Sequence, residues 1–156
     1  MASELHHLSD YDIHSVPSGR GKQFGIVVSE WNAEITLSLL SAAKATLLQH
    51  GVKEQDIHVK YVPGTFELVF GAKQHAQYHH LSAVICIGCV IKGETKHDEY
   101  ISMSVAHGLQ LLNAHQNIPF IFGVLTPNTI EQALDRAGGK YGNKGVEAAI
   151  TALKMA

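Results

Sequence analysis

Four short apolar runs recur along the chain, FGIVVS (24–29), IHVKYV (57–62), AVICIGCVI (83–91) and PFIFGVLT (119–126), and a segment of helical pattern follows each. Their β-branched residues predict strands, and all but the second are apolar almost throughout rather than at alternate positions. Such strands are covered on both faces, and strands separated by helices run parallel, because a parallel return needs a long crossover. The expected fold is therefore a three-layer α/β/α sandwich on a four-stranded parallel sheet, a flavodoxin-like arrangement. Helices are predicted at 33–50, where Ile35, Leu39, Ala43 and Leu47 recur at helical spacing before Gly51 stops them, and at 65–77, 98–115, 129–137 and 146–155. Asn128 or Thr126 is available to cap the fourth helix. Residues 1–22 read as a polar, irregular tail, leaving 23–156 as a single domain, and 156 residues suffice for one sizeable core.

Composition narrows the partners. Apolar residues make up 46% of the chain and charged residues only 17%, so part of the surface is expected to be covered by further copies in a homo-oligomer. The net charge of −2 and the scattered basic residues give no electrostatic footprint for nucleic acid or an anionic membrane, which leaves small molecules. No apolar run approaches a membrane span, and the N-terminus MASELHHLSDYD lacks the basic and hydrophobic regions of a leader, so a soluble, cytoplasmic protein is expected. Cys86 and Cys89 form a CxxC, but inside a strand two residues three apart face opposite ways, so they read as packing cysteines rather than a redox pair or half a zinc site.

In an open parallel sheet, ligands bind beyond the carboxyl ends of the strands. That rule selects SEWN, PGTFE, KGETKHDE and LTPN. In the third stretch Gly93 allows close backbone approach, the amides near Glu94 and Thr95 at a helix start suit an anion, and His97 beside them is suited to give and take protons near neutrality. A surface or structural role suffices for His6, His7, His75, His79, His80, His107 and His115. Phe66 and Glu67 sit at the second strand's mouth, either as helix staple and dipole partner or as ligand contacts. Trp31, the only tryptophan, fills core or stacks on a heterocycle. The segment DRAGGKYGNKG gathers Arg136, Lys140 and Lys144 among glycines, either as a solvated loop or as a phosphate site; no Walker order is present.

Together PGTFEL, GCVIKGETKHDEY, FIFGVLT and QALDRAGGKYGNKG, in that order, closely resemble the lumazine synthase family over about residues 24–154. The resemblance implies an enzyme of riboflavin biosynthesis that condenses 5-amino-6-(D-ribitylamino)uracil with 3,4-dihydroxy-2-butanone 4-phosphate, using neither cofactor nor metal. It assigns pyrimidine contacts to Trp31, Thr65, Phe66, Glu67, Cys89, Val90 and Ile91, with Phe122 supplied by a neighbouring subunit. Glu94, Thr95 and Arg136 match the residues on the butanone phosphate, and His97 matches the proton-transferring histidine. Two positions depart: many members carry phenylalanine at Trp31 and threonine or a similar residue at Cys89. The family assembles as pentamers, some paired and some arranged in an icosahedral shell; the short GGKYGNKG junction resembles shell formers, and riboflavin synthase is a candidate protein partner. The competing reading is a non-catalytic flavin- or pterin-binding module, against which stand the basic glycine-rich segment and the complete His97 segment.

Overall fold

The computed structural model describes residues 7–78 and 80–156. Strands β1 (Phe24–Ser29), β2 (Ile57–Val62), β3 (Ala83–Cys89) and β4 (Phe120–Leu125) form one sheet in the order β2-β1-β3-β4, every pair parallel. Helices α1 (Ala33–Gln49), α2 (Leu68–Tyr78), α3 (His97–His115), α4 (Ile130–Asp135) and α5 (Lys144–Met155) alternate with or follow the strands. Strand alternation divides the core in two. Phe24, Ile26, Val28, Ile85, Ile87 and Ile121 pack with α1 and α5 on one face of the sheet, whereas Val27, Val84, Cys86, Phe120 and Val124 pack with α2 and α3 on the other. This is the three-layer α/β/α sandwich expected from the runs.

The strands at 24–29 and 57–62 stand where the sequence puts them, and other boundaries shift for identifiable reasons. Regular β3 ends at Cys89 rather than at 91, although pairing continues: the Val90 N–H donates to Leu125 O at 2.8 Å and the Lys92 N–H to Pro127 O at 3.0 Å. The helix expected from 65 opens as a 3-10 turn, Thr65–Glu67, before α2 begins. Thr129 caps α4, in place of Asn128 or Thr126, its hydroxyl accepting from the Gln132 N–H at 3.3 Å. Between α4 and α5 the glycine-rich segment is a small antiparallel hairpin, β5 (Ala137–Gly139) and β6 (Gly142–Asn143), so α5 starts two residues earlier than expected, with the Asn143 side chain accepting from Gly145 N at 2.8 Å. Gly145 is needed there: a Cβ would run into the backbone of Leu39, where α5 crosses α1.

The part of the tail within the described residues carries one 3-10 turn, Ile13–Ser15, and is tied to the domain. Leu8 N–H donates to Tyr141 O at 2.7 Å, Ser9 Oγ accepts from Asn143 N at 2.9 Å, Tyr11 reaches His50 at 3.2 Å and Val16 enters the core. Among the described residues no helix is long and apolar enough to cross a membrane.

Candidate active site

At the carboxyl edge of the sheet, the segments leaving the first three strands prolong the hydrogen-bond ladder instead of looping away. Glu30 N–H donates to Val62 O at 2.8 Å and Trp31 N–H to Pro63 O at 3.1 Å, holding the ends of β1 and β2 together. Next comes Asn32, the one described non-glycine residue at positive φ (60°), a left-handed conformation that asparagine tolerates better than most. Its side-chain amide donates to Cys89 O at 2.9 Å, which ties the start of α1 to the end of β3. Val90 and Lys92 turn their peptides toward β4, so by alternation the Ile91 peptide faces the β1 side, where its N–H makes no bond among the described residues.

Two further details set the walls. Thr65 and Leu68 sit so near β3 that a Cβ on Gly88 would lie 2.8 Å from the Thr65 side chain, so the absence of a side chain there lets the Thr65–Glu67 turn close on the strand end. In α3 the buried stripe Val105, Leu109 and Leu112 is continued toward the N-terminus by Ile101, and there the helix leaves the core and becomes a wall with His97, Asp98, Tyr100 and Ser104.

The result is an open cleft of about 810 Å³, large enough for a bicyclic heterocycle with a polyol chain. Of the residues singled out from sequence it brings together Trp31, Thr65, Phe66, Glu67, Cys89, Val90, Ile91, Thr95 and His97. Trp31 is 73% exposed and Phe66 57%, so neither fills core: both side chains line the open cleft. His97 is the first residue of α3, whose N-cap, Lys96, makes no side-chain capping bond. The first-turn amides of α3 thus remain available to an anion, with the helix dipole behind them. Beside them Asp98 Oδ1 accepts from the Gly93 N–H at 3.4 Å.

Three of the residues that the resemblance assigns to the substrates are not on the cleft wall. Glu94 is exposed between two lining positions. Phe122 lies in β4, on the edge of the sheet, and is 38% exposed in a strand otherwise buried. Arg136 caps the C-terminus of α4, with its Nη1 donating to Gln132 O at 3.1 Å. The cleft also takes in Asn32, Asp98, Tyr100, Ile101 and Ser104, to none of which sequence reasoning assigned an individual role. Tyr100, Ile101 and Ser104 follow His97 at helical spacing, a signal that was there to read; Asn32 acts through a contact 57 residues away in sequence, which no local pattern encodes.

Burial pushes the Cys86 thiol up to about 12 and the Cys89 thiol up to about 11, and the two belong to the opposite core layers, which suits packing and not redox chemistry. His75 is buried with Nε2 2.9 Å from His58 O, a structural role, while His6 and His79 lie outside the described residues. Among the described residues no cluster of His, Cys, Asp and Glu is arranged to hold a metal ion.

Comparison with known proteins gives one consistent result. The family model described as 6,7-dimethyl-8-ribityllumazine synthase matches residues 21–156. Curated relatives of that name include one from Parabacteroides distasonis, 54% identical over 99% of this chain and 97% of the relative. Another, from Porphyromonas gingivalis, is 53% identical over 100% and 97% of the two chains, and a third, from Phocaeicola vulgatus, is 52% identical over 99% and 92%.

Proposed function

The chain belongs to the 6,7-dimethyl-8-ribityllumazine synthase family, whose members condense 5-amino-6-(D-ribitylamino)uracil with 3,4-dihydroxy-2-butanone 4-phosphate in riboflavin biosynthesis, and from that premise we propose how its own residues divide the work. The observation that carries the proposal is the cleft at the carboxyl edge of the sheet, lined together by an exposed tryptophan, an open strand-end peptide and a histidine on an uncapped helix start.

The pyrimidine lies against Trp31, between the Thr65–Phe66–Glu67 turn and the Cys89–Val90–Ile91 strand end. There the Ile91 peptide offers a donor and an acceptor side by side, the complement of a uracil amide edge. Burial of flat rings against Trp31 and Phe66 supplies affinity, and the strand-end peptide supplies register. The phosphate of the second substrate is held at the start of α3 by the Gly93–Glu94–Thr95 segment together with Arg136 of a neighbouring copy, and that copy's Phe122 closes on the pyrimidine.

Condensation then proceeds by proton movements. The ring amine attacks the ketone carbonyl and water leaves to form an imine; the adjacent hydroxyl-bearing carbon loses a proton as phosphate departs from the terminal carbon, and the resulting enol tautomerises to a new ketone; the second amine closes the ring on that carbonyl, and water leaves again. His97, within the same cleft as both reacting groups, passes the protons between nitrogen, carbon and the departing oxygens. Holding two substrates side by side supplies much of the acceleration, as expected for a reaction between an amine and a reactive ketone.

Residues 23–156 serve as one catalytic domain behind the tail 1–22. Assembly is at least pentameric and, given the short hairpin between α4 and α5, extends to a shell, with riboflavin synthase as the enzyme that uses the product beside it in the cytoplasm. Mixing the purified protein with both substrates and following the fluorescence of the lumazine tests the reading. Absence of product from a folded, assembled protein would overturn it, whatever the protein binds.

A further inference from the structure

Arg136 and Lys140 lie over one ring, that of Tyr141, with the guanidinium carbon 4.7 Å and the ammonium nitrogen 5.0 Å from its centroid. Among the described residues neither cation has a carboxylate partner; the ion pairs there are Lys44–Glu54 and Lys144–Glu147. The backbone builds this arrangement. The Tyr141 N–H donates to Asp135 O at 2.8 Å and Lys144 N–H to Arg136 O at 2.9 Å, folding the β5–β6 hairpin back over the end of α4. Gly139 makes the fold-back close, since a Cβ there would sit 2.8 Å from Asp135 Cα, and Gly138 and Gly142 supply the two positive-φ turns.

A ring and a carboxylate hold a cation in different ways. A carboxylate would orient Arg136 but cancel its charge, whereas the quadrupole of an aromatic face attracts the cation and leaves its charge and its outward N–H groups free for an anion. Two uncompensated cations drawn to one ring repel each other, which adds to the attraction that a dianion would meet.

We propose that Tyr141 is a positioning residue for recognition of the phosphate-bearing substrate: its ring gathers Arg136 and Lys140 and presents them, un-neutralised, as one anion-binding pair. The inference deepens the assignment of Arg136 to the phosphate and rests on it. The phenol oxygen is not needed; the ring face is.

The test uses the full-length protein and steady-state kinetics in both substrates, with inorganic phosphate as a competing anion. Tyr141→Leu should raise KM for the butanone phosphate and the inhibition constant of phosphate by about three- to fivefold, the usual worth of an exposed cation–π contact, leaving KM for the ribitylaminouracil and kcat within twofold. Tyr141→Phe should restore the wild-type values. A trifluorinated phenylalanine at 141, nearly identical in shape but with a depleted ring face, should behave like Tyr141→Leu, which a purely structural role would not produce and which serves even if the leucine variant does not fold. Arg136→Ala separates the two levels. If it raises KM for the butanone phosphate while the fluorinated ring does not, the role of Tyr141 is overturned and the Arg136 assignment stands. If Arg136→Ala leaves that KM unchanged, the underlying assignment itself is wrong.

Discussion

The cleft at the ends of β1, β2 and β3 and the cationic corner at the end of α4 are built alike and finished differently. Both depend on a glycine that lets backbone approach closely, Gly88 under Thr65 in the first and Gly139 against Asp135 in the second. In the cleft, one chain provides ring faces, open peptide and histidine together. At the corner, one chain provides charge: Arg136 and Lys140 lie on Tyr141 and are not among the cleft's walls. On the proposed reading, the difference makes a single copy the bearer of two incomplete halves, completed when the cleft of one copy meets the corner of another.

The largest effect comes from breaking each half separately and recombining them. His97→Ala is expected to lower turnover by about 10²-fold, within the usual worth of one general acid/base, with binding of both substrates retained. Arg136→Ala should instead weaken use of the butanone phosphate by one to two orders of magnitude, the loss of a charge-assisted hydrogen bond. If the halves come from different copies in a ring, co-assembling equal amounts of the two variants should restore about a quarter of wild-type activity, because a random quarter of neighbour pairs joins an intact cleft to an intact corner. Activity that stays at the average of the two parents would show that each site is completed within one chain.

The next effect is smaller and tells the halves apart by packing alone. In Gly88→Ala the new methyl meets Thr65 at 2.8 Å and Leu68 at 3.0 Å, overpacking of a kind that typically costs about 1–3 kcal/mol. The displaced Thr65–Glu67 turn should raise KM for the pyrimidine several-fold and leave that for the butanone phosphate unchanged. Gly139→Ala, pressing on the Asp135 backbone, should do the reverse. Equal changes in both constants from either variant would mean that the two regions are not separable units.

Stacking comes third. Trp31→Ala should weaken pyrimidine binding by about threefold, within an aromatic pair's usual worth, and in the wild type the emission of this sole tryptophan should be quenched as the ribitylaminouracil saturates. Unchanged emission together with wild-type affinity in the variant would remove Trp31 from the site.

How far the sequence reveals these halves depends on the range of the contacts that build them. Strands β1 and β2 are read to the residue because β-branched runs report burial locally, and the separation of Cys86 from Cys89 follows from the two-residue period of a strand. The continuation of β3 pairing to Lys92 is harder to see, since after Ile91 the side chains turn polar while the backbone goes on bonding to Leu125 and Pro127. The β5–β6 hairpin is invisible to periodicity because its strands have three and two residues, and glycines rather than apolar alternation define it. The tie from Asn32 to Cys89 and the gathering of cations on Tyr141 are tertiary facts, legible only once the chain is folded.

The smallest effect lies in the two thiols, which stand on opposite faces of one strand and sample the cleft and its back. Both are raised by burial from the ordinary 9.0, Cys89 to about 11 and Cys86 to about 12. Because folding raises these values, the stability each thiol contributes is fully present below pH 9 and is lost as pH rises, through about 11 for Cys89 and about 12 for Cys86. At neutral pH the folded protein should therefore be alkylated slowly at both positions and rapidly at both once denatured, since only the thiolate reacts. As the solution is made alkaline, Cys89 should be labelled first, and mass spectrometry of the labelled peptides separates the two. Cys89 also forms part of the cleft wall, whereas Cys86 sits in the layer of α2 and α3. Saturating ribitylaminouracil should accordingly slow labelling of Cys89 and leave that of Cys86 as it was. Rapid labelling of either thiol at neutral pH would contradict the burial argument, and protection of both cysteines to the same degree would mean that the ligand tightens the whole fold instead of covering the end of β3.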